Sequence, residues 1–142
     1  VTAGATEAIY CALTGILDPG DEVVIPTPAF GLYETVTRLA GAVPMYLDTS
    51  RTGFQLTYEA LSAAITPRTK ALVLNSPNNP TGAVYEEPSL AAVRRAVGDK
   101  PIFILCDDVY RGLCTCPCPD PAALPGLRER LLIAQSFSKP WR

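Results

Sequence analysis

The sequence has no histidine in its 142 residues. That absence removes the serine–histidine and cysteine–histidine nucleophilic triads, and every metal site that depends on an imidazole ligand. Charge is also scarce. Only 18% of residues are charged, and 12 basic against 14 acidic side chains leave a net charge of −2. A general nucleic-acid binder needs a local cationic excess to neutralise phosphates, so no nucleic-acid partner is expected. No segment is apolar over a length that would cross a bilayer, and no membrane partner is expected either. What the sequence does hold is hydrophobic bulk, 48% of residues, which suits one globular domain of this length but not two. Its 14 prolines are about twice the usual share and predict many sharp, stiff connections. Internal repeats, low-complexity stretches and a linker that would split the chain are missing. The chain opens Val1-Thr2-Ala3-Gly4 without an initiator Met and stops at Lys139-Pro140-Trp141-Arg142. It reads as a piece cut from a longer protein.

The five cysteines divide into two kinds. Cys11 and Cys106 sit in apolar segments and are expected to be small core residues. Cys114, Cys116 and Cys118 form a C-x-C-x-C run around Pro117. With Cys106 they offer four thiolates, but the one-residue spacing is not the C-x₂₋₄-C of ordinary zinc sites and no second pair exists. The run is read as a proline-rich surface loop and no metal is assigned. With no leader sequence in view, reduced thiols and a cytoplasmic location are expected.

Periodicity decides the fold class. Ile9, Ala12, Leu13, Ile16 and Leu17 fall on one face of a helix, which Asp18-Pro19-Gly20-Asp21 ends. Glu22 to Ile25 is a short apolar strand. Leu32, Val36 and Leu39 mark a second helix, stopped at Gly41, and Val43 to Leu47 a strand that Pro44 places at an edge. Thr57 is the expected N-cap of a helix that turns Leu61 and Ile65 inward. Ala71 to Leu74 is a strand, Pro88 to Val97 a helix ending at Gly98, and Ile102 to Cys106 and Leu131 to Ala134 two more strands. Continuous apolar strands are buried on both faces, and their alternation with helices implies a mostly parallel sheet. The expected fold is three-layer α/β, helices on both faces.

Ligands of such sheets bind outside the carboxyl ends of the strands, so the residues that follow each strand carry the search for chemistry. Asn75-Ser76-Pro77-Asn78-Asn79-Pro80-Thr81-Gly82 follows one, Asp107-Asp108-Val109-Tyr110 the next, and Gln135-Ser136-Phe137-Ser138-Lys139 the last. Each has an ordinary explanation alone: a good turn, an Asp cap, a solvated Lys. An amide, a carboxylate with a phenol, and an amine at the same position after three strands are poorly explained by coincidence. Ser136-Phe137-Ser138-Lys139 also satisfies the S-x-x-K pattern of penicillin-binding enzymes, but the partner motifs S-D-N and K-T-G are absent and proline follows the lysine.

Asn-Asn-Pro-Thr-Gly, Asp-x-x-Tyr and Ser-Phe-Ser-Lys at these separations resemble the large domain of class I/II aminotransferases, which are fold-type I pyridoxal-5′-phosphate enzymes. Gly4-Ala5-Thr6-Glu7-Ala8, Asp18-Pro19-Gly20-Asp21-Glu22-Val23 and Pro26-Thr27-Pro28-Ala29-Phe30 fit the same order, so the resemblance covers essentially the whole chain. It implies transfer of an amino group from an amino acid to a 2-oxo acid by a ping-pong route. Lys139 matches the Schiff-base lysine, which needs a pocket that keeps its amine neutral part of the time. Asp107 matches the partner of the pyridine nitrogen, and Asn79 and Tyr110 the two groups that bond the phenolic oxygen. Gly4, Ala5 and Thr6, opening the first helix, match a phosphate turn, although Thr6 is also a plausible helix cap. Ser136 matches a phosphate-binding hydroxyl, with Ser138 assisting. Phe30 matches the aromatic that stacks on the ring, where a plain core Phe is the alternative, and Tyr33 could line the substrate side.

The resemblance also says what lies outside these residues. The family places a phosphate-binding arginine beyond the lysine, and Arg142 is too close to Lys139 to be equated with it. The arginine that clamps the substrate carboxylate belongs to a C-terminal domain, so residues 1–142 are read as a partial cofactor-binding domain. Alone they are expected to bind cofactor poorly, turn over little and expose a sheet edge prone to association. The full protein is expected to be a homodimer. A carbon–sulfur β-lyase of the same fold, an aminotransferase-like effector domain of a transcription regulator and an inactive remnant remain as alternative readings.

Overall fold

A computed structural model describes residues 1–139; Arg142 lies outside the described residues. Within them, five parallel strands form one sheet in the order β2-β1-β3-β4-β5. The strands are β1 (Glu22–Thr27), β2 (Val43–Asp48), β3 (Thr69–Asn75), β4 (Phe103–Asp107) and β5 (Leu131–Ala134). Four helices accompany them: α1 (Ala5–Ile16), α2 (Leu32–Leu39), α3 (Tyr58–Ala64) and α4 (Glu87–Val97). The expected α/β class, the expected elements and the edge position of the Pro44 strand are all present.

Side chains alternate across a strand, and this sheet uses both faces. Val24, Leu72, Leu74, Ile104 and Cys106 point to one side, where they pack with Leu61 of α3 and Leu90, Val93 and Val97 of α4. Val23, Ile25, Ala71, Val73 and Leu105 point to the other, against Ile9 and Leu13 of α1 and Val36 of α2. That two-sided burial is why the strands read as continuous apolar runs. Thr57 caps α3 as expected, its side chain accepting a hydrogen bond from the Ala60 N–H at 3.2 Å.

Three expectations need correction. Cys11 is exposed, whereas Cys106 is buried; on α1, Cys11 faces away from the side that carries Ile9 and Leu13. The inward face of α2 is Tyr33, Val36 and Thr37, and Leu39 is 70% exposed. The face is turned by roughly one residue, about 100° around the axis, because Thr37 satisfies its hydroxyl on the Tyr33 carbonyl at 2.7 Å and can be buried without cost. Thr6 does not cap α1: the N-cap is Gly4, and no side chain caps that end.

The chain leaves β1 for β2 on one side and returns for β3 on the other. This reversal is the topological switch point at which such sheets bind ligands. Between β4 and β5 the path has 3₁₀ turns at Arg111–Leu113, Pro121–Ala123 and Arg128–Arg130 instead of a helix. Pro117, Pro119 and Pro121 remove the amide donors that a helix there would need.

Candidate active site

The register of the sheet builds the site. Asn75 of β3 is aligned with Asp107 of β4, and Asp107 with Ala134 of β5. The row is stitched together beyond the ladder: Asn75 Nδ2 donates to the Asp107 carbonyl at 3.0 Å, and the Asp108 N–H to the Ala134 carbonyl at 2.9 Å. The three segments that follow therefore leave the sheet side by side.

A cavity of about 410 Å³ opens at this rim. Asp107, Tyr110 and Asn79 line it from the ends of β4 and β3, and Ser136, Ser138 and Lys139 from the turn after β5. Gly4, Ala5 and Thr6 line it from the start of α1, and Phe30 from the connection after β1. The residues expected to bind the cofactor thus line one space.

Each wall has a physical cause. Gly4 has φ +116°, a conformation that L side chains rarely adopt, and this lets the chain turn into α1 with its first amides aimed outward. A twelve-residue helix without a side-chain cap presents unsatisfied N–H groups and the positive end of its dipole to the cavity. Phe30 is 42% exposed and meets Tyr33 edge to face, with ring centroids 6.0 Å apart, so it is a wall and not a plain core residue. The amine of Lys139 lies 5.4 Å from the centre of the Tyr110 ring, within range of a cation–π contact. Ser136 and Ser138 hydroxyls are 2.7 Å apart.

Asp107 is the floor, and it is 4% exposed. Oδ2 accepts from the Tyr33 hydroxyl at 2.6 Å and Oδ1 from the Val109 N–H at 3.3 Å. No cation among the described residues makes an ion pair with it. Burial pushes its carboxyl above the ordinary range and the Asp108 charge adds to this, while Tyr33, Val109 and the more distant Lys139 charge oppose without cancelling it. Tyr33 in turn has its phenol pushed far up, first by burial and then by the Asp107 charge, so it remains a donor at any ordinary pH.

Tyr33, which the sequence offers as a lining residue, does line this cavity, but its bond to Asp107 is not visible in the sequence. It is buried, and what the sequence does carry is its position three residues after Phe30, one helical turn along. Asn78, which the motif leaves beside Asn79, holds the turn together instead: its Oδ1 accepts from the Thr81 N–H and hydroxyl at 3.2 and 2.9 Å. Among the described residues no group of three or more His, Cys, Asp or Glu side chains is arranged to hold a metal.

The chemistry of the donor set defines the ligand that fits. An uncapped helix start with nearby hydroxyls suits an anion, Phe30 suits a flat ring, and the buried carboxylate calls for a cationic group. The Lys139 amine and the Tyr110 phenol on the remaining side add a nucleophile and a hydrogen-bonding group.

The chain matches the sequence model of the class I and II aminotransferases over residues 1–141, and it belongs to that family. It is 42% identical over 146 residues to the aspartate/prephenate aminotransferase of Cereibacter sphaeroides, covering 99% of this chain and 36% of that protein. The aspartate aminotransferase of Musicola paradisiaca is 37% identical over 144 residues, with the same 99% and 36% coverage. Among solved structures, N-succinyldiaminopimelate aminotransferase from Mycobacterium tuberculosis superposes with a TM-score of 0.90 at 37% identity, over 97% of this chain and 37% of the other. The chain therefore spans about a third of the length of the relatives it matches.

Proposed function

We propose that these residues form the cofactor-binding part of a pyridoxal-5′-phosphate-dependent aminotransferase that moves an amino group from an amino acid to a 2-oxo acid. The family is dependent on that cofactor in general. The single observation that carries the reading is Asp107, a buried carboxylate at the floor of a lined cavity that no cation among the described residues pairs with. The bound cofactor would supply a ring that takes up the electron pair released at the substrate Cα.

The chain's own residues divide the work. Asp107 would hold a proton on the ring nitrogen, and Tyr33 fixes that carboxylate through its hydroxyl. Asn79 and Tyr110 would bond the phenolic oxygen. The amides of Gly4, Ala5 and Thr6, with Ser136 and Ser138, would hold the phosphate, and Phe30 would cover one ring face and exclude water. Lys139 would hold the cofactor through its amine and move the proton at the substrate Cα as acid and base. In support of this, Lys139 and Tyr110 line the same cavity and the amine lies near the Tyr110 ring.

The partial-domain reading of residues 1–142, a homodimer with sites at its interface and a cytoplasmic location belong to the same proposal and rest on the family. The comparisons favour transamination over the β-lyase, regulator and remnant readings, since the relatives described above are named as aminotransferases. The test is reductive labelling of the full-length protein with pyridoxal phosphate and borohydride, followed by peptide mapping. Label on Lys139 is expected. Label on Lys70 or Lys100 would refute the assignment.

A further inference from the structure

The C-x-C-x-C run has no part in the reading above, yet it lies against the site. A second space of about 420 Å³ adjoins the cofactor cavity and is lined by Cys114 and Cys116 together with Asn79 and Tyr110. Asn79 and Tyr110 line both spaces. Cys114 and Cys116 bring their Sγ atoms to 3.6 Å, van der Waals contact, from which a disulfide of about 2.05 Å needs only a small side-chain rotation. Cys116 is exposed and Cys114 half-buried, so a small reagent reaches both.

We propose that Cys114 and Cys116 are a vicinal-dithiol modification site, which a low-molecular-weight disulfide converts to an intraloop Cys114–Cys116 disulfide. The division of labour follows from the surroundings. Burial acts to raise the Cys114 thiol. It is outweighed by hydrogen bonds from the Cys116 backbone and side chain and from Cys118, and by the Arg111 charge, so that thiol lies below the ordinary range. Cys116 is raised, through its hydrogen bond to Cys114 and through burial. Cys114 is then the attacking thiolate and Cys116 the resolving thiol. In the first step Cys114 Sγ bonds to one sulfur of the reagent and the other leaves as a thiolate. In the second, Cys116 loses its proton and attacks Cys114 Sγ, expelling the second thiolate. Two protein thiols are oxidised, one reagent disulfide is reduced to two thiols, and the protein's protons end on those products.

The loop is tied to the end of β4. Arg111 pairs with Asp108 at 2.8 Å and donates to the carbonyls of Cys118 and Pro119 at 2.9 and 3.2 Å. The clamp fixes the Cys118 backbone, and the proposed bond does not include its thiol. This inference does not depend on the cofactor assignment.

The probe is glutathione disulfide, incubated with the full-length protein and followed by mass spectrometry of unreduced peptides. The expected product is a Cys114–Cys116 peptide lighter by two hydrogens, with two glutathione thiols released per bond. Cys116→Ser should trap glutathione on Cys114, Cys114→Ser should lose the linkage, and Cys118→Ser should keep it. Stable glutathione on wild-type Cys114, a bond to Cys118, or loss of the linkage in Cys118→Ser would overturn the proposal.

Discussion

Two buried carboxylates stand at opposite ends of the same sheet, and their surroundings differ in kind. Glu22 opens β1 at the amino rim, with its side chain 1% exposed. It accepts from the Thr66 hydroxyl and from Arg68 Nε and a terminal guanidinium nitrogen at 2.9 and 2.6 Å. The Thr66 bond and the Arg68 cation hold it below the ordinary carboxylate range despite its burial. Asp107 closes β4 at the carboxyl rim, equally buried, but its side-chain partners are a phenol and one amide, and it is raised. A carboxylate that is complete in the folded chain is structural. One that is buried and left short of a cation is held ready for a ligand.

The contrast predicts opposite trade-offs. In the full-length protein Asp107→Ala should lower transamination on the order of 10²–10³-fold, measured as the rate of 2-oxo acid formation, while Glu22→Gln leaves the rate per folded molecule unchanged. Stability should run the other way. Glu22→Gln should cost about 1–3 kcal/mol in denaturant unfolding, because Arg68 and Thr66 lose a charged acceptor. Asp107→Asn should raise stability near neutral pH by up to about 1 kcal/mol, since it removes an uncompensated buried charge at a functional site. A loss of stability in Asp107→Asn would break the comparison.

Acid sharpens it further. Because Glu22 is lowered by folding, its contribution is present above its unfolded value of 4.5 and is lost as pH falls through its folded value. Asp107 has the opposite sign: folding raises it, so its ionised form costs stability at neutral pH and that cost is relieved on acidification. Unfolding titrations of wild type against Glu22→Gln should converge only once the pH has fallen below the folded value of Glu22, which lies under 4.5. The smallest effect is expected of Tyr33→Phe, which removes the 2.6 Å bond to Asp107 and should cost about 1 kcal/mol. It should also raise the Asp107 carboxyl further, readable as a shift of its side-chain carbon resonance with pH.

Most of this was legible before any coordinates. The α/β class follows from apolar runs such as Ala71–Leu74 and Ile102–Cys106, because burial on both faces erases the alternation of a one-sided strand. The residues that line the cavity are legible for a related reason. A parallel sheet presents ligand-binding groups at and just past the carboxyl ends of its strands, where Asp107, Asn79 and Lys139 stand. What escaped depends on rotation about a helix axis or on partners distant in sequence. Leu32, Val36 and Leu39 form a tidier apolar stripe than Tyr33, Val36 and Thr37, and only the Tyr33–Asp107 and Thr37–Tyr33 bonds choose the second. Glu22 matches its partners across more than forty residues, and no spacing in the sequence announces that.

The cavity is closed by Gly4, Ala5 and Thr6 on one side and by Ser136, Ser138 and Lys139 on another. Nearly the whole described chain lies between these groups. A ligand that engages both sides therefore recognises no local fragment of the fold, only the fully assembled and correctly registered sheet. Its binding energy is added to the global unfolding equilibrium, not to the opening of one loop, and occupancy of the cavity doubles as a measure of how much of the chain is native.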